Sequence, residues 1–135
     1  MNQLATPDLV SRQLANRLRT MPKFELHVHI EGAADADTYF DIAQKNKIKL
    51  PVRSRQEWRQ FFEFRDFPHF IEVYLAAVGC LQTTEDYGLL IDNFFKHQAG
   101  QNILYTEAYL SATFIVERFD DDSMLDVIEA AVTAG

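Results

Sequence analysis

The stretch that most constrains this chain is Phe24-Glu25-Leu26-His27-Val28-His29-Ile30-Glu31-Gly32, in which apolar and ionisable residues alternate without a break. Side chains on a strand point to opposite faces in turn. Phe24, Leu26, Val28 and Ile30 are therefore expected on one face, and Glu25, His27, His29 and Glu31 on the other. Pro22 precedes the run, and Gly32 lets the chain turn where a strand gives way to a helix. A strand with helices against one face and a polar lumen against the other is the wall of an enzyme barrel, so the pattern predicts an α/β fold. Two imidazoles two residues apart on the lumen face can share one metal ion, because neutral histidine is a common zinc ligand. The competing reading is a His-x-His pair on an ordinary surface strand.

A second strand is predicted from Ile103 to Leu110. Tyr105, Glu107, Tyr109 and Ser111 share one face, and Leu104, Thr106, Ala108 and Leu110 the other. Glu107 is placed either to accept a hydrogen bond from a metal-ligating histidine or to pair with a basic residue.

Helices fill the interval between the two strands. Asp35 or Asp37 caps one that runs to about Asn46, with Tyr39, Phe40 and Ala43 inward. Ser54 and Glu57 form a capping-box pattern ahead of Trp58, Phe61, Phe62 and Phe64. Asp66 and Pro68 open another helix, with Phe67, Phe70, Ile71, Tyr74, Val78 and Leu81 at helical spacing. Thr83 and Asp86 start a further one, with Tyr87, Leu90, Ile91 and Phe94 inward and Gly100 at its end. His69 and His97 read as structural and solvated helix-end residues.

Ahead of the first strand, Thr6-Pro7-Asp8 starts a helix whose stripe of Val10, Leu14 and Leu18 is expected against the bottom or side of the barrel. Asp120, Asp121, Asp122 and Ser123 read as a helix start, since the oxygen-rich loop spacing of a calcium site is missing.

The run Glu25-Leu26-His27-Val28-His29-Ile30-Glu31-Gly32-Ala33 resembles the first barrel strand of the adenosine deaminase family, within the amidohydrolase superfamily. The likeness continues through Lys47-Ile48-Lys49-Leu50-Pro51 and Tyr105-Thr106-Glu107-Ala108, and covers roughly residues 21 to 135. It implies the N-terminal part of a metal-dependent (β/α)8 TIM barrel with helices inserted after the first strand. The layout is a leading helix over 1–20, a first strand over 24–30, a helical crossover over 35–100 and a second strand over 103–110, all in one domain. His27 and His29 are then two ligands of one Zn2+ ion, and Phe61, Phe62 and Phe64 line an apolar gate over a purine. A third histidine, an aspartate and the general acid/base glutamate are implied beyond Gly135, so no catalytic residue lies in this chain.

The implied reaction is hydrolytic deamination of adenosine, adenine or a related purine nucleoside, with release of ammonia. Where this chain has Glu31, the adenosine branch commonly has aspartate. Glutamate is found in adenine deaminase-like relatives and in those acting on other derivatives such as aminodeoxyfutalosine. Glu31 is thus expected to read the group at the purine's sugar position. The chain departs from the family at Tyr109, often arginine, and at Ala112, often proline.

Composition sets the outer limits. A chain of 135 residues buries one modest core, whereas a complete barrel needs about 250. The expectation is an N-terminal portion that is inactive alone, exposes strand edges and self-associates. Thirteen basic against 20 acidic residues give a net charge of −7, and the basic ones form no stripe, which argues against nucleic-acid and anionic-membrane partners. The single cysteine, Cys80, excludes an internal disulfide and reads as a small core residue. With no signal-like or membrane-length apolar run, the expected setting is cytoplasmic. The alternatives are another amidohydrolase-type metal hydrolase, or a non-catalytic partial barrel that binds a partner.

Overall fold

Side-chain caps set the starts of four of the five helices between the strands. In the computed structural model, which describes residues 9–119 and 121–134, Asp35 Oδ1 accepts from Thr38 N at 2.9 Å, Ser54 Oγ from Glu57 N at 3.2 Å, Asp66 Oδ1 from His69 N at 2.8 Å and Thr83 Oγ1 from Asp86 N at 3.3 Å. Each satisfies a backbone donor that the first helical turn leaves open. The elements run α1 (Leu9–Thr20), β1 (Lys23–His29), α2 (Ile30–Ala33), α3 (Ala36–Lys45), α4 (Arg55–Phe61), α5 (Phe67–Val78), α6 (Thr84–Gly100), β2 (Ile103–Tyr109), α7 (Ala112–Val116) and α8 (Asp121–Ala134).

The strands β1 and β2 pair in parallel. A parallel pair needs a long crossover, and α2 to α6 supply it. The core gathers Tyr39, Ile42 and Ala43 of α3, Trp58 of α4, Ala77 of α5, and Tyr87, Leu90, Ile91 and Phe94 of α6, with Cys80 and Leu81 from the connection, Ile115 of α7 and Val127 of α8. Val28 of β1 packs against its margin. Trp58 is fully buried and donates from Nε1 to Ala36 O at 2.9 Å, which gives its one polar atom a partner.

The link between α3 and α6 is polar and buried. Asp86 accepts from Lys45 Nζ (2.8 Å), Asn46 Nδ2 (2.6 Å), Gln82 N (2.9 Å) and Thr83 N (3.0 Å). Burial alone would raise its pKa, but Lys45 and the three other donors outweigh that and hold the carboxyl below its ordinary range. Helix α3 closes in a Schellman motif, with Ile48 N bonded to Ala43 O at 2.9 Å and Lys47 N to Gln44 O at 3.2 Å. Lys47 occupies the left-handed position, at φ 55°.

Two sequence expectations need correcting. Helix α5 buries the row His69, Val73, Ala77 and partly buries Phe70 and Tyr74, while Phe67 and Ile71 are exposed. The helix is apolar on nearly every side, so periodicity could not select the inward rows. Helix α1 leaves Leu14 and Leu18 exposed. It is tied instead by Lys23 Nζ, which donates to Leu18 O, Arg19 O and Met21 O, and by Asn102 Nδ2, which donates to Thr20 O at 2.6 Å. The expected starts at Thr6-Pro7-Asp8 and Asp120 lie outside the described residues. Among the described residues no helix is long and apolar enough to cross a membrane.

Candidate active site

A bulge in β1 decides which residues face the site. Phe24 pairs with Tyr105 and Glu25 with Thr106, but the next pair is Val28 with Ala108, three steps on β1 against two on β2. His27 takes up the extra residue in the left-handed region, at φ 63°. Histidine enters that region more readily than most non-glycine residues, at a cost on the order of 1–3 kcal/mol.

The expected ionisable face is therefore broken. Before the bulge, Phe24 sits edge-on to Tyr105, ring centroids 6.4 Å apart, while Glu25 turns toward α6, where Gln98 Nε2 donates to its Oε2 at 2.9 Å. After it, His27 and His29 lie together. Strict alternation fails because the inserted residue reverses the facing of Phe24 and Glu25 relative to Val28 and His29, and the register shifts again between Lys23 and Phe24.

The two imidazole centroids are 5.6 Å apart and both rings lie against Tyr109, at 4.7 Å from His27 and 5.6 Å from His29. Two imidazoles on one tetrahedral zinc, with Zn–N of about 2.0–2.1 Å, have centroids roughly 5 Å apart. The pair thus fits half of a zinc coordination sphere. No group of three or more metal-ligating side chains occurs among the described residues.

Glu31 lies two residues past His29, in the single turn of α2. It is 1% exposed. Its Oε1 accepts from Ser111 N at 2.7 Å, its backbone carbonyl accepts from the Tyr39 hydroxyl at 2.6 Å, and its Oε2 has no partner. Tyr39 is pushed well above the ordinary tyrosine pKa, by burial first and then by the Glu31 charge. Burial and the same charge raise Tyr74 and carry Tyr87 to about 12. Glu31 lines a narrow crevice with Gly32, Phe62, Phe64, Phe70, Val73, Tyr74 and Ala77.

Of the three expected gate residues, Phe62 and Phe64 line this crevice and Phe61 does not. Phe61 stacks on Trp58 at 5.5 Å and meets His69 edge-on at 5.2 Å. Phe64 is exposed and packs edge-on against Phe70 at 5.3 Å. Glu107 is exposed and accepts from the Tyr105 hydroxyl at 3.3 Å.

The other two histidines stand apart from the pair. His69 is buried and accepts from Arg65 N at 3.3 Å, and His97 is exposed on the last turn of α6, 3.8 Å from Asp35. Cys80 is a buried core residue whose thiol burial pushes up to about 11. Sequence reasoning missed the parts played by Tyr109, Tyr74 and Ser111. For Ser111 the shared parity with Tyr105 was the only available signal, and Tyr109 was marked besides as a departure from the family pattern.

The fold of this chain is shared with solved structures of longer proteins. It is similar to an adenine deaminase from Arthrobacter aurescens (26% identity, TM-score 0.73, 83% of this chain and 35% of that one) and to an amidohydrolase from Burkholderia ambifaria with bound zinc (20% identity, TM-score 0.74, 97% and 36%). The chain belongs to the adenosine deaminase family, whose model matches residues 22–135. Its similar curated relatives include adenine deaminases of Vibrio parahaemolyticus (32% identity over 87% of this chain) and Acinetobacter baylyi (34% over 75%). The chain spans 35% and 30% of their respective lengths.

Proposed function

We propose that this chain is the N-terminal portion of a zinc-dependent (β/α)8 deaminase that hydrolyses the exocyclic amine of an aminopurine to ammonia. One observation carries the reading. In a chain of the adenosine deaminase family, two neighbouring imidazoles on a bulged strand lead into a buried carboxylate with a free oxygen, set under an aromatic crevice.

His27 and His29 would hold the metal, with the remaining ligands and the general acid/base glutamate supplied from beyond Gly135. Zinc supplies Lewis acidity that makes water a competent nucleophile near neutral pH. The crevice encloses only about 10 Å³ and would have to open to admit a planar heterocycle, to which Phe62, Phe64 and Phe70 would then offer flat apolar walls that exclude bulk water. Phe61 supports Phe62 through Trp58, and Glu107, held by Tyr105, stands on the strand face that carries Tyr109.

Glu31 is the orienting group. An ionised carboxylate only accepts hydrogen bonds, so its free Oε2 calls for a donor on the ligand. A free purine base offers a ring N–H and a nucleoside a sugar hydroxyl, and the narrowness of the crevice beside Glu31 favours the smaller of the two, adenine over adenosine. The relatives named as adenine deaminases agree with that choice.

The test is ammonia release by the native-length protein offered adenine, adenosine and aminodeoxyfutalosine. The expected result is the highest kcat/KM on adenine, and ammonia from none of them would contradict the reading. Glu31→Asp withdraws the carboxylate by about 1.5 Å, enough to break a hydrogen bond. It should change the adenine-to-adenosine ratio of kcat/KM by about tenfold or more, and an unchanged ratio would remove Glu31 as the selecting residue.

A further inference from the structure

The carboxylate of Glu31 is held from one side only, and the group that holds it is itself fastened. Ser111 N donates to Oε1 at 2.7 Å. The Ser111 hydroxyl shares a hydrogen bond of 2.8 Å with the Tyr74 hydroxyl, in which either oxygen can donate. Tyr74 belongs to α5, and its ring is one wall of the crevice that Glu31 lines. It stacks on Phe70 at 6.1 Å and meets Phe114 of α7 at 6.0 Å. Ser111 follows β2 and leads directly into α7.

One pair of hydroxyls thus joins the crevice helix to the end of the second strand, at the residue whose amide fixes Glu31. Among the described residues no cation hydrogen-bonds to this carboxylate. Its direction therefore rests on the Ser111 amide, and a charged acceptor with a single firm donor would otherwise rotate or draw in solvent.

We propose that Tyr74 and Ser111 are positioning residues. Their hydroxyl pair locks the Ser111 amide against Glu31 Oε1, so that Oε2 alone is presented to a donor on the bound ligand. The proposal deepens the deaminase reading and rests on it for the identity of that ligand, but not for the lock itself. Movement of α5 would break the hydroxyl pair, free the amide and release the carboxylate, so crevice opening and loss of ligand orientation are one event.

The test uses the native-length protein and two variants, Tyr74→Phe and Ser111→Ala. Each removes a single hydroxyl from a position that is not fully buried and is expected to fold. The first readout is hydrogen exchange at the amide of residue 111, which requires no activity. The lock predicts exchange about tenfold faster or more in both variants, the change expected from loss of one hydrogen bond.

The second readout is steady-state kinetics on adenine. KM is expected to rise about tenfold with kcat within about twofold, the signature of lost ligand binding rather than lost chemistry. Unchanged exchange in both variants would overturn the lock. Faster exchange with unchanged KM would overturn its positioning role. If the parent protein releases no ammonia from any aminopurine, the deaminase reading fails, while the exchange comparison still decides the lock.

Discussion

Glu31 is a carboxylate at 1% exposure with one hydrogen bond to its side chain and, among the described residues, no ion pair. A buried charge held this way costs stability, by roughly several kcal/mol when imperfectly paired, and such a residue is kept for what it binds. Glu31→Gln preserves the acceptor for Ser111 and removes the charge. It should raise the thermal midpoint of the metal-free native-length protein by about 2–4 °C, corresponding to about 1 kcal/mol, while weakening adenine binding. A lowered midpoint would show that the charge is stabilised by groups not considered. Cys80, with its thiol pushed up to about 11, should react with iodoacetamide at pH 8 only after unfolding, because the thiolate is the nucleophile. At this scale the sequence was legible where chemistry is local. The spacing marks His27 and His29 as neighbours on one strand and only the family resemblance singles out Glu31, whereas Tyr74 and Ser111 meet across 37 positions and no periodicity reports such a contact.

Among the elements, caps were the most readable feature, since a cap is decided by residues three apart; Asp35, Ser54, Asp66 and Thr83 all act where the sequence placed helix starts. The bulge in β1 was not readable, because Phe24 to Ile30 alternates perfectly and only pairing with β2 reveals the inserted residue. Lys47 at φ 55° offers an element-scale test. Lys47→Gly removes the Cβ penalty of the left-handed position, and thermal melting should show about 0.5–1 kcal/mol of added stability.

The Asp86 hub offers another. Its folded pKa is lowered, so the stability it contributes is fully present above the unfolded value of about 3.9 and is lost as pH falls through the folded value. Asp86→Asn should cost about 2–4 kcal/mol at pH 7, since it weakens four hydrogen bonds at a buried site. It should also flatten the loss of stability below about pH 4. A parallel acid limb in both proteins, followed by urea unfolding, would contradict the assignment.

Taken whole, the described structure is a helical layer behind a two-stranded parallel sheet, with Phe24, Leu26 and Leu104 each more than 60% exposed. Parallel sheets are ordinarily covered on both faces, and unpaired strand edges associate. The 135-residue chain expressed alone should therefore sediment as oligomers that the native-length protein does not form. A stable monomer would show that this surface needs no cover.

If the bulged strand is the metal-binding wall of a deaminase site, the protein must carry zinc on it. Elemental analysis of the native-length protein should find one zinc per chain, and His27→Ala and His29→Ala should each lose most of it along with ammonia release from adenine. Full zinc occupancy and unchanged activity in both variants would contradict the claim and leave His27 and His29 as surface residues of a strand.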